Sequence, residues 1–182
     1  MLQCRLTAIH NKVLRKNLLP RLMALPTFEA KIVAPCDLAT RLSSLARPLV
    51  FTNGCFDILH RGHVTYLAQA ASLGKNLIVA VNTDTSVKRL GKGDERPINA
   101  LEDRMALLAA LESVSLVTWF DEDTPLARIL DCHPDVLVKG GDWAVGKIVG
   151  YREVTNWGGI VHSIPFIHQK STTALLRKIQ QL

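Results

Sequence analysis

Two histidines, three residues apart, are the side chains best suited to chemistry in this sequence. His60 and His63 flank Arg61-Gly62 in the segment TNGCFDILHRGH, which follows a short apolar run and leads into a helical pattern. The start of a helix attracts anions through its dipole and its open N–H groups, and Gly62 would let a phosphate approach the backbone. The segment therefore favours an anion site, although histidines at this spacing can also simply cap a helix.

A metal site is the competing interpretation of the histidine pair. A zinc protease would carry HExxH on an established helix, and the sequence offers no third ligand beside His60 and His63. Four cysteines are widely spread along the chain, without a CxxC pair. They are Cys4, Cys36, Cys55 and Cys132. We expect reduced thiols and no metal held by protein side chains.

Three hydroxyl side chains open the last helical pattern. Ser171, Thr172 and Thr173 follow Lys170. Hydroxyls and open N–H groups at a helix start can hold a phosphate. Serine or threonine there is usually only an N-cap, and on the residues alone that simpler interpretation is favoured.

Basic side chains are concentrated in a polar segment at 88–99 and in the helical pattern after it. They are Lys88, Arg89, Lys92, Arg96 and Arg104. Such cations could neutralise phosphates that a closed site removes from water, whereas the acidic Asp94 and Glu95 fit a solvated loop. We expect a role in catalysis for Arg104 and for at least one lysine, and the sequence does not distinguish Lys88 from Lys92.

The segment VLVKGGDW combines a cation, paired glycines and a carboxylate. Lys139 ends a predicted strand, and the glycines that begin at Gly140 would allow close approach of a ligand. Asp142 could accept hydrogen bonds from a base, a ribose or a sugar. Trp143 could stack on such a ligand or simply pack against the fold.

The elements that must position these residues alternate between strands and helices. Apolar runs predict strands at about 49–52, 77–81, 115–120, 135–138 and 159–164. Helical patterns separate them, which is typical of a parallel sheet covered on both faces. The sequence therefore predicts one α/β domain with a doubly wound, Rossmann-like, five-stranded parallel sheet, whose ligands bind at the carboxyl ends of the strands.

The net charge of +6 is concentrated at the start of the chain. Residues 1–22 carry five basic and no acidic groups, whereas the other 160 residues carry 17 basic and 16 acidic groups. We expect residues 1–26 to be a poorly ordered basic extension and 27–182 to be the domain, and we expect no nucleic-acid partner. Apolar runs are too short to cross a bilayer and no signal peptide is evident, so the sequence predicts a cytoplasmic protein without membrane insertion.

The string NGCFD followed by HRGH resembles the signature of the HxGH nucleotidyltransferase superfamily, in its cytidylyltransferase-like branch. The resemblance implies that His60 and His63 contact a nucleoside triphosphate and stabilise the charge that develops on its α-phosphate. STTALLRKI is similar to the second motif of that superfamily and favours a phosphate role for the hydroxyls. Such a transfer needs positioning and electrostatic stabilisation more than a general base.

A longer order of segments resembles the D-glycero-β-D-manno-heptose 1-phosphate adenylyltransferases of bacterial lipopolysaccharide core synthesis. The segments are PLVFTNGCFDILHRGHVTYLAQA, RPIN, TPLARIL, PDVLVKGGD and STTALL. The resemblance implies transfer of AMP from ATP to a sugar 1-phosphate, with Mg²⁺ bound mainly by substrate oxygens, and a homodimer. The residues 166–170 depart from the acidic-glycine approach to the STT motif that is usual there.

The expected site combines these segments. The expected catalytic residues are His60, His63, Lys88, Lys92 and Arg104. The expected nucleotide-binding residues are Thr52, Asn53, Gly54, Phe56, Gly62, Lys139, Gly140, Asp142, Ser171, Thr172 and Thr173. Two other functions stay open: a cytidylyltransferase for polyol or amino-alcohol phosphates, and a non-catalytic nucleotide-binding module.

Overall fold

The structure is a computed structural model that describes residues 26–91, 93, 95–168 and 172–181. The prediction of a poorly ordered extension over residues 1–26 therefore falls, apart from Pro26, outside the described residues. Lys92 and Ser171 also lie outside them, and for Thr173 only the backbone is described.

Five parallel strands form the centre of the domain, in the order β3-β2-β1-β4-β5. They are β1 (Leu49–Gly54), β2 (Asn76–Asn82), β3 (Leu116–Phe120), β4 (Val136–Gly140) and β5 (Ile160–Ile164). Their apolar, largely β-branched residues are buried because both faces of the sheet are covered. The predicted doubly wound α/β fold is confirmed.

Seven α-helices precede, connect or follow the strands in the described part of the chain. They are α1 (Leu38–Leu42), α2 (Arg61–Ala71), α3 (Asp84–Arg89), α4 (Leu101–Ala109), α5 (Leu126–Cys132), α6 (Tyr151–Asn156) and α7 (Thr172–Gln180). Short 3₁₀ turns add Thr27–Lys31, Pro35–Asp37 and Val145–Lys147. Within the described ranges, no helix has the length and apolar character needed to cross a bilayer.

The core has two layers, one on each face of the sheet. Alternate residues of a strand point to opposite faces, so Val50 packs in one layer and Phe51 in the other. Helices α2 and α4 cover the first face through Tyr66, Leu67 and Leu108. Helices α1, α5 and α6 cover the second face. We call these the α2/α4 face and the α5/α6 face.

The predicted polar loop 88–99 begins later than expected. Lys88 and Arg89 belong to α3, which starts because the side chain of Thr83 accepts a hydrogen bond from the backbone N–H of Ser86 at 3.1 Å. Burial of Val87 holds this short helix against the sheet. The sequence pattern missed α3 because the helix has barely two turns.

The prediction that all four thiols are reduced is wrong at Cys36, which is disulfide-bonded. Cys55 and Cys132 are reduced thiols. A disulfide requires two Cα atoms within about 4.4–6.8 Å of each other. Spacing along the chain does not show which cysteines meet that condition.

Candidate active site

The site lies where the strand order reverses, at the carboxyl ends of β1 and β4. The chain leaves β1 towards β2 on one side of the sheet and leaves β4 towards β5 on the other. Loops that leave adjacent strands in opposite directions open a crevice between them, which is the usual ligand position in such folds. The segments 55–60 and 141–150 form the two sides of this crevice.

The two histidines lie together at the start of α2. His60 precedes the first residue of the helix in extended conformation, and the rings of His60 and His63 stack with centroids 3.9 Å apart and an interplanar angle of 17°. The ring of Phe56 meets His63 edge-on at 5.3 Å. A Cβ on Gly62 would lie 3.0 Å from the His60 ring, which is closer than most such contacts, so this packing favours glycine. The structure thus brings four expected site residues together.

Burial, and secondarily the adjacent His60, lower the pKa of His63 from 6.5 to about 4, although the backbone of Ile58 raises it slightly. His63 is therefore neutral at pH 7. Its Nδ1 atom is buried and makes no hydrogen bond of ordinary geometry to the described residues. A neutral imidazole keeps one ring N–H, which can donate a hydrogen bond to a phosphate oxygen.

A buried carboxylate fixes the loop between β1 and α2. Asp57 is 1% exposed and accepts hydrogen bonds from Arg96 Nε and from the backbone N–H groups of Ile98, at 2.8 Å, and Asn99, at 2.9 Å. The carbonyl of Asp57 accepts from the Asn99 side chain. Phe56, just before it, has a φ of 47°. The carboxylate thus ties the loop that carries the histidines to the segment before α4.

Arg104 has a different position from the one expected. Its side chain is fully buried. Its guanidinium donates to the carbonyls of Asn99 (3.0 Å), Cys55 (2.7 Å) and Asn82 (2.8 Å), and to the carboxylate of Asp84 (2.6 Å). These bonds occupy the fork that a phosphate would need. The structure supports Arg104 as a positioning residue of the loop after β1, because its guanidinium is enclosed by protein acceptors.

A cleft of about 420 Å³ lies on the α5/α6 face, at the carboxyl ends of β1 to β4. The alternation of side chains directs Asn53, Asn82 and Lys139 to this face. Lys139 Nζ donates to the side-chain oxygen of Asn53 at 3.2 Å. The other lining residues are Gly54, Cys55, Leu90, Phe120, Asp123, Thr124, Pro125, Trp143, Lys147, Ile148 and Val149. The end of β1 therefore separates this cleft from the histidine pair.

Four polar or charged residues among those missed from the sequence could bind a ligand in the cleft. Asn82 ends β2, Asp123 and Thr124 follow β3, and Lys147 ends the 3₁₀ turn after β4. Arg89 pairs with Asp123 at 2.8 Å at the rim. The rule that carboxyl ends of parallel strands lie at one edge would have indicated the first three of the missed residues.

The remaining expected residues are dispersed. Thr52 is fully buried and its hydroxyl lies 2.6 Å from the Tyr66 hydroxyl, so its side chain supports the core of the α2/α4 face. Lys88 is exposed on α3, and Asp142 is exposed beyond β4. Thr172 is the first residue of α7 and is half-buried.

Comparison with known proteins adds evidence of another kind. A family model described as cytidylyltransferase-like matches residues 51–179. D-beta-D-heptose 1-phosphate adenylyltransferase of Bordetella bronchiseptica is 55% identical over 161 residues, which are 87% of this chain and 99% of that protein. Bifunctional protein HldE of Hahella chejuensis is 53% identical over 133 residues, which are 73% of this chain and 28% of that protein. A solved lipopolysaccharide core biosynthesis protein from Thermoplasma volcanium is 27% identical with a TM-score of 0.54, over 67% of this chain and 98% of that chain.

Proposed function

The chain belongs to the cytidylyltransferase-like family, and on that premise we propose that it transfers AMP from ATP to D-glycero-β-D-manno-heptose 1-phosphate, giving ADP-heptose and pyrophosphate for lipopolysaccharide core synthesis. The observation that carries this proposal is the match to the Bordetella adenylyltransferase over 99% of its length. The presence of two binding regions, separated by the end of β1, supports a reaction between two substrates.

The reaction forms one P–O bond and breaks another. A phosphate oxygen of the sugar 1-phosphate attacks the α-phosphorus of ATP, and the bond to the β-phosphate oxygen breaks, so that pyrophosphate leaves. A phosphate monoester is largely ionised at pH 7, since its second pKa is about 6, and needs no general base. His60 and His63 would donate hydrogen bonds to the α-phosphate oxygens, where negative charge is redistributed during attack.

The cleft has the polarity that a sugar phosphate requires. Lys139 and Lys147 supply cations, and Asn53, Asn82 and Thr124 supply side chains that can bond to hydroxyl groups. Its volume of about 420 Å³ is within the usual range for small-molecule sites. We infer that the acceptor binds in this cleft and meets the α-phosphate across Gly54 and Cys55.

Nucleotidyltransferases generally use a divalent metal ion together with the nucleotide, and we propose Mg²⁺. Within the described residues, no three His, Cys, Asp or Glu side chains are grouped to hold a metal ion. We infer that phosphate oxygens would chiefly bind the ion, as is common for Mg²⁺ in nucleotide sites. When bound, Mg²⁺ would screen the charge of the triphosphate.

A pyrophosphate-release assay tests the proposal. The purified chain is mixed with ATP or CTP and with heptose 1-phosphate, glycerol 3-phosphate or phosphoethanolamine, each in the presence of Mg²⁺. We expect release with ATP and heptose 1-phosphate, and loss of release in the His63→Ala variant. Faster release with CTP or with another acceptor would overturn the assignment of substrates. No release from any pair would refute the proposed activity.

Two further parts of the proposal concern the cell and the assembly. We infer a cytoplasmic location, because ATP and sugar phosphates are metabolites of that compartment. A homodimer remains a prediction, which light scattering of the purified chain would test.

A further inference from the structure

The segment 165–168, between β5 and α7, runs from the carboxyl end of β4 to the start of α2. The ring of Phe166 meets the Tyr66 ring edge-on, with centroids 5.6 Å apart and planes at 72°. A Cβ on Gly140 would lie 2.8 Å from Cζ of Phe166, and Cβ atoms in proteins essentially never lie so close to a neighbouring atom. The ring therefore occupies the space that the absent side chain of Gly140 leaves open, at the carboxyl end of β4.

The same segment then reaches the histidine motif. The carbonyl oxygen of His168 lies 3.2 Å from the position of a Cβ on Gly62, and the His60 ring lies 3.0 Å from the same position. Two residues after Phe166, the backbone is thus packed against the start of α2. Helix α7 begins at Thr172, four residues later, and four residues span at most about 14 Å. The start of α7 is consequently held within reach of the histidine pair.

Phe166 is less exposed than the next residue, Ile167, because its ring contacts Gly140 and Tyr66. Phe166 is 41% exposed, whereas Ile167 is 64% exposed. A backbone hydrogen bond from Gly141 to the carbonyl of Ile164, at 2.9 Å, holds the end of β5 beside the end of β4. Beyond this bond, the Phe166 ring is the contact that directs the segment across β4 towards α2.

We propose that Phe166 is a positioning residue, whose ring, packed on Gly140 and Tyr66, holds the start of α7 within reach of His60 and His63 and so helps to form the phosphate-binding site. This inference rests on the proposed function, because it takes the start of α7 to bind phosphates of the nucleotide. It concerns a part of the sequence, residues 166–170, that departs from the resemblance noted above.

Three variants test the proposal: Phe166→Ala, Phe166→Leu and the matched control Ile167→Ala. Loss of a half-exposed aromatic contact should raise the KM for ATP by about 5- to 30-fold, with a smaller effect on kcat. Hydrogen exchange of the backbone amides in 172–180 should become faster in Phe166→Ala. Leucine fills much of the same space and should restore most of the binding. Ile167→Ala should match the wild type in both measurements.

Gly140→Ala supplies an independent approach to the same contact. Its methyl group would displace the Phe166 ring, so this variant should reproduce the faster exchange in 172–180. The double variant Gly140→Ala/Phe166→Ala should then be no worse than either single variant, because residues that act through one contact are not additive.

The outcomes separate this inference from the proposed function. Unchanged exchange in 172–180 and unchanged KM in Phe166→Ala would overturn the positioning role. A Phe166→Leu variant that binds ATP as poorly as Phe166→Ala, with wild-type exchange in 172–180, would mean that the ring contacts the nucleotide directly, which also overturns it. A wild-type chain that released no pyrophosphate would refute the activity, and the exchange measurements would still decide how α7 is held.

Discussion

Replacing Arg104 with methionine should unfold the protein at a much lower temperature, because the buried guanidinium donates hydrogen bonds to four oxygen atoms. Three of them are backbone carbonyls, from Cys55, Asn82 and Asn99, and the fourth belongs to Asp84. Methionine has a similar volume and no donor. The variant therefore keeps most of the volume and removes every hydrogen bond.

The structure sets the expected size of this effect. The Arg104 side chain is 0% exposed and that of Asp84 is 41% exposed, so the pair is partly buried. The Asp84 carboxylate can be hydrated, so the cost comes mainly from the three carbonyls that lose their donor. Each unsatisfied buried acceptor costs about 1–3 kcal/mol, and we take about 3–5 kcal/mol for the three together. For a chain of this length, each kcal/mol lowers Tm by about 2–4 °C, so Tm should fall by about 6–20 °C. Differential scanning calorimetry without ligand would measure it.

Arg89→Met is the matched control for this experiment. Arg89 also pairs with an aspartate, Asp123, but their side chains are 41% and 80% exposed. Exposed pairs contribute about 0–1 kcal/mol, so Tm should change by no more than about 4 °C. If Arg104→Met instead had the Tm of the control and a strongly raised KM for ATP, then Arg104 would act on the nucleotide, and our interpretation of the buried guanidinium would be refuted.

Other measurements address the histidine pair and the core beneath it. His63→Ala should lower kcat by about 10²–10³ while the protein stays folded, as loss of one preorganised donor does; wild-type turnover would remove His63 from the mechanism. The pKa of His63 is about 4 in the folded protein and 6.5 in the unfolded chain, so the unfolded chain takes up the proton first as the pH falls. The free energy of unfolding should therefore decrease by about 2–3 kcal/mol between pH 6.5 and pH 4. Urea titrations at several pH values should show that this pH dependence of the free energy of unfolding is lost in His63→Ala. Tyr66→Phe leaves the Thr52 hydroxyl and the Val138 carbonyl without their bonds to Tyr66 and should cost about 1–2 kcal/mol in urea unfolding, whereas an unchanged midpoint would mean that water replaces the hydroxyl.

The sheet was predictable because the composition of its strands differs from that of the helices and loops. Each is a short apolar run with flanking turn residues, and burial on both faces demands that composition. The pattern in 77–81 thus located β2, which the structure extends to Asn76–Asn82. The six-residue helix α3 lacks such a signature, because its position depends on a cap at Thr83 and one buried side chain, Val87. Short helices depend more on such tertiary contacts than on intrinsic propensity.

The site was predictable only where a motif is local. His60, Gly62 and His63 are adjacent in sequence, so one helix start brings them together. The sequence does not distinguish the possible roles of Arg104, because a cation near a phosphate site and a cation bonded to carbonyls look alike in sequence. The pairing of Asp57 with Arg96, 39 residues away, depends on the path of the segment before α4. Contacts of that range are properties of the fold.

The pairing of charges around the site indicates how it can bind a polyanion. In the described part of the chain, Arg89, Arg96 and Arg104 each bond to an aspartate, and His63 is neutral. Much of the local positive charge is therefore already balanced before any ligand arrives. We therefore expect oriented dipoles, namely the imidazole N–H groups and the start of α2, to contribute to stabilisation of the α-phosphate, together with a cation carried by the nucleotide. Oriented dipoles stabilise charge that moves during the reaction without requiring a large net charge, which is consistent with release of a highly charged pyrophosphate after each turnover.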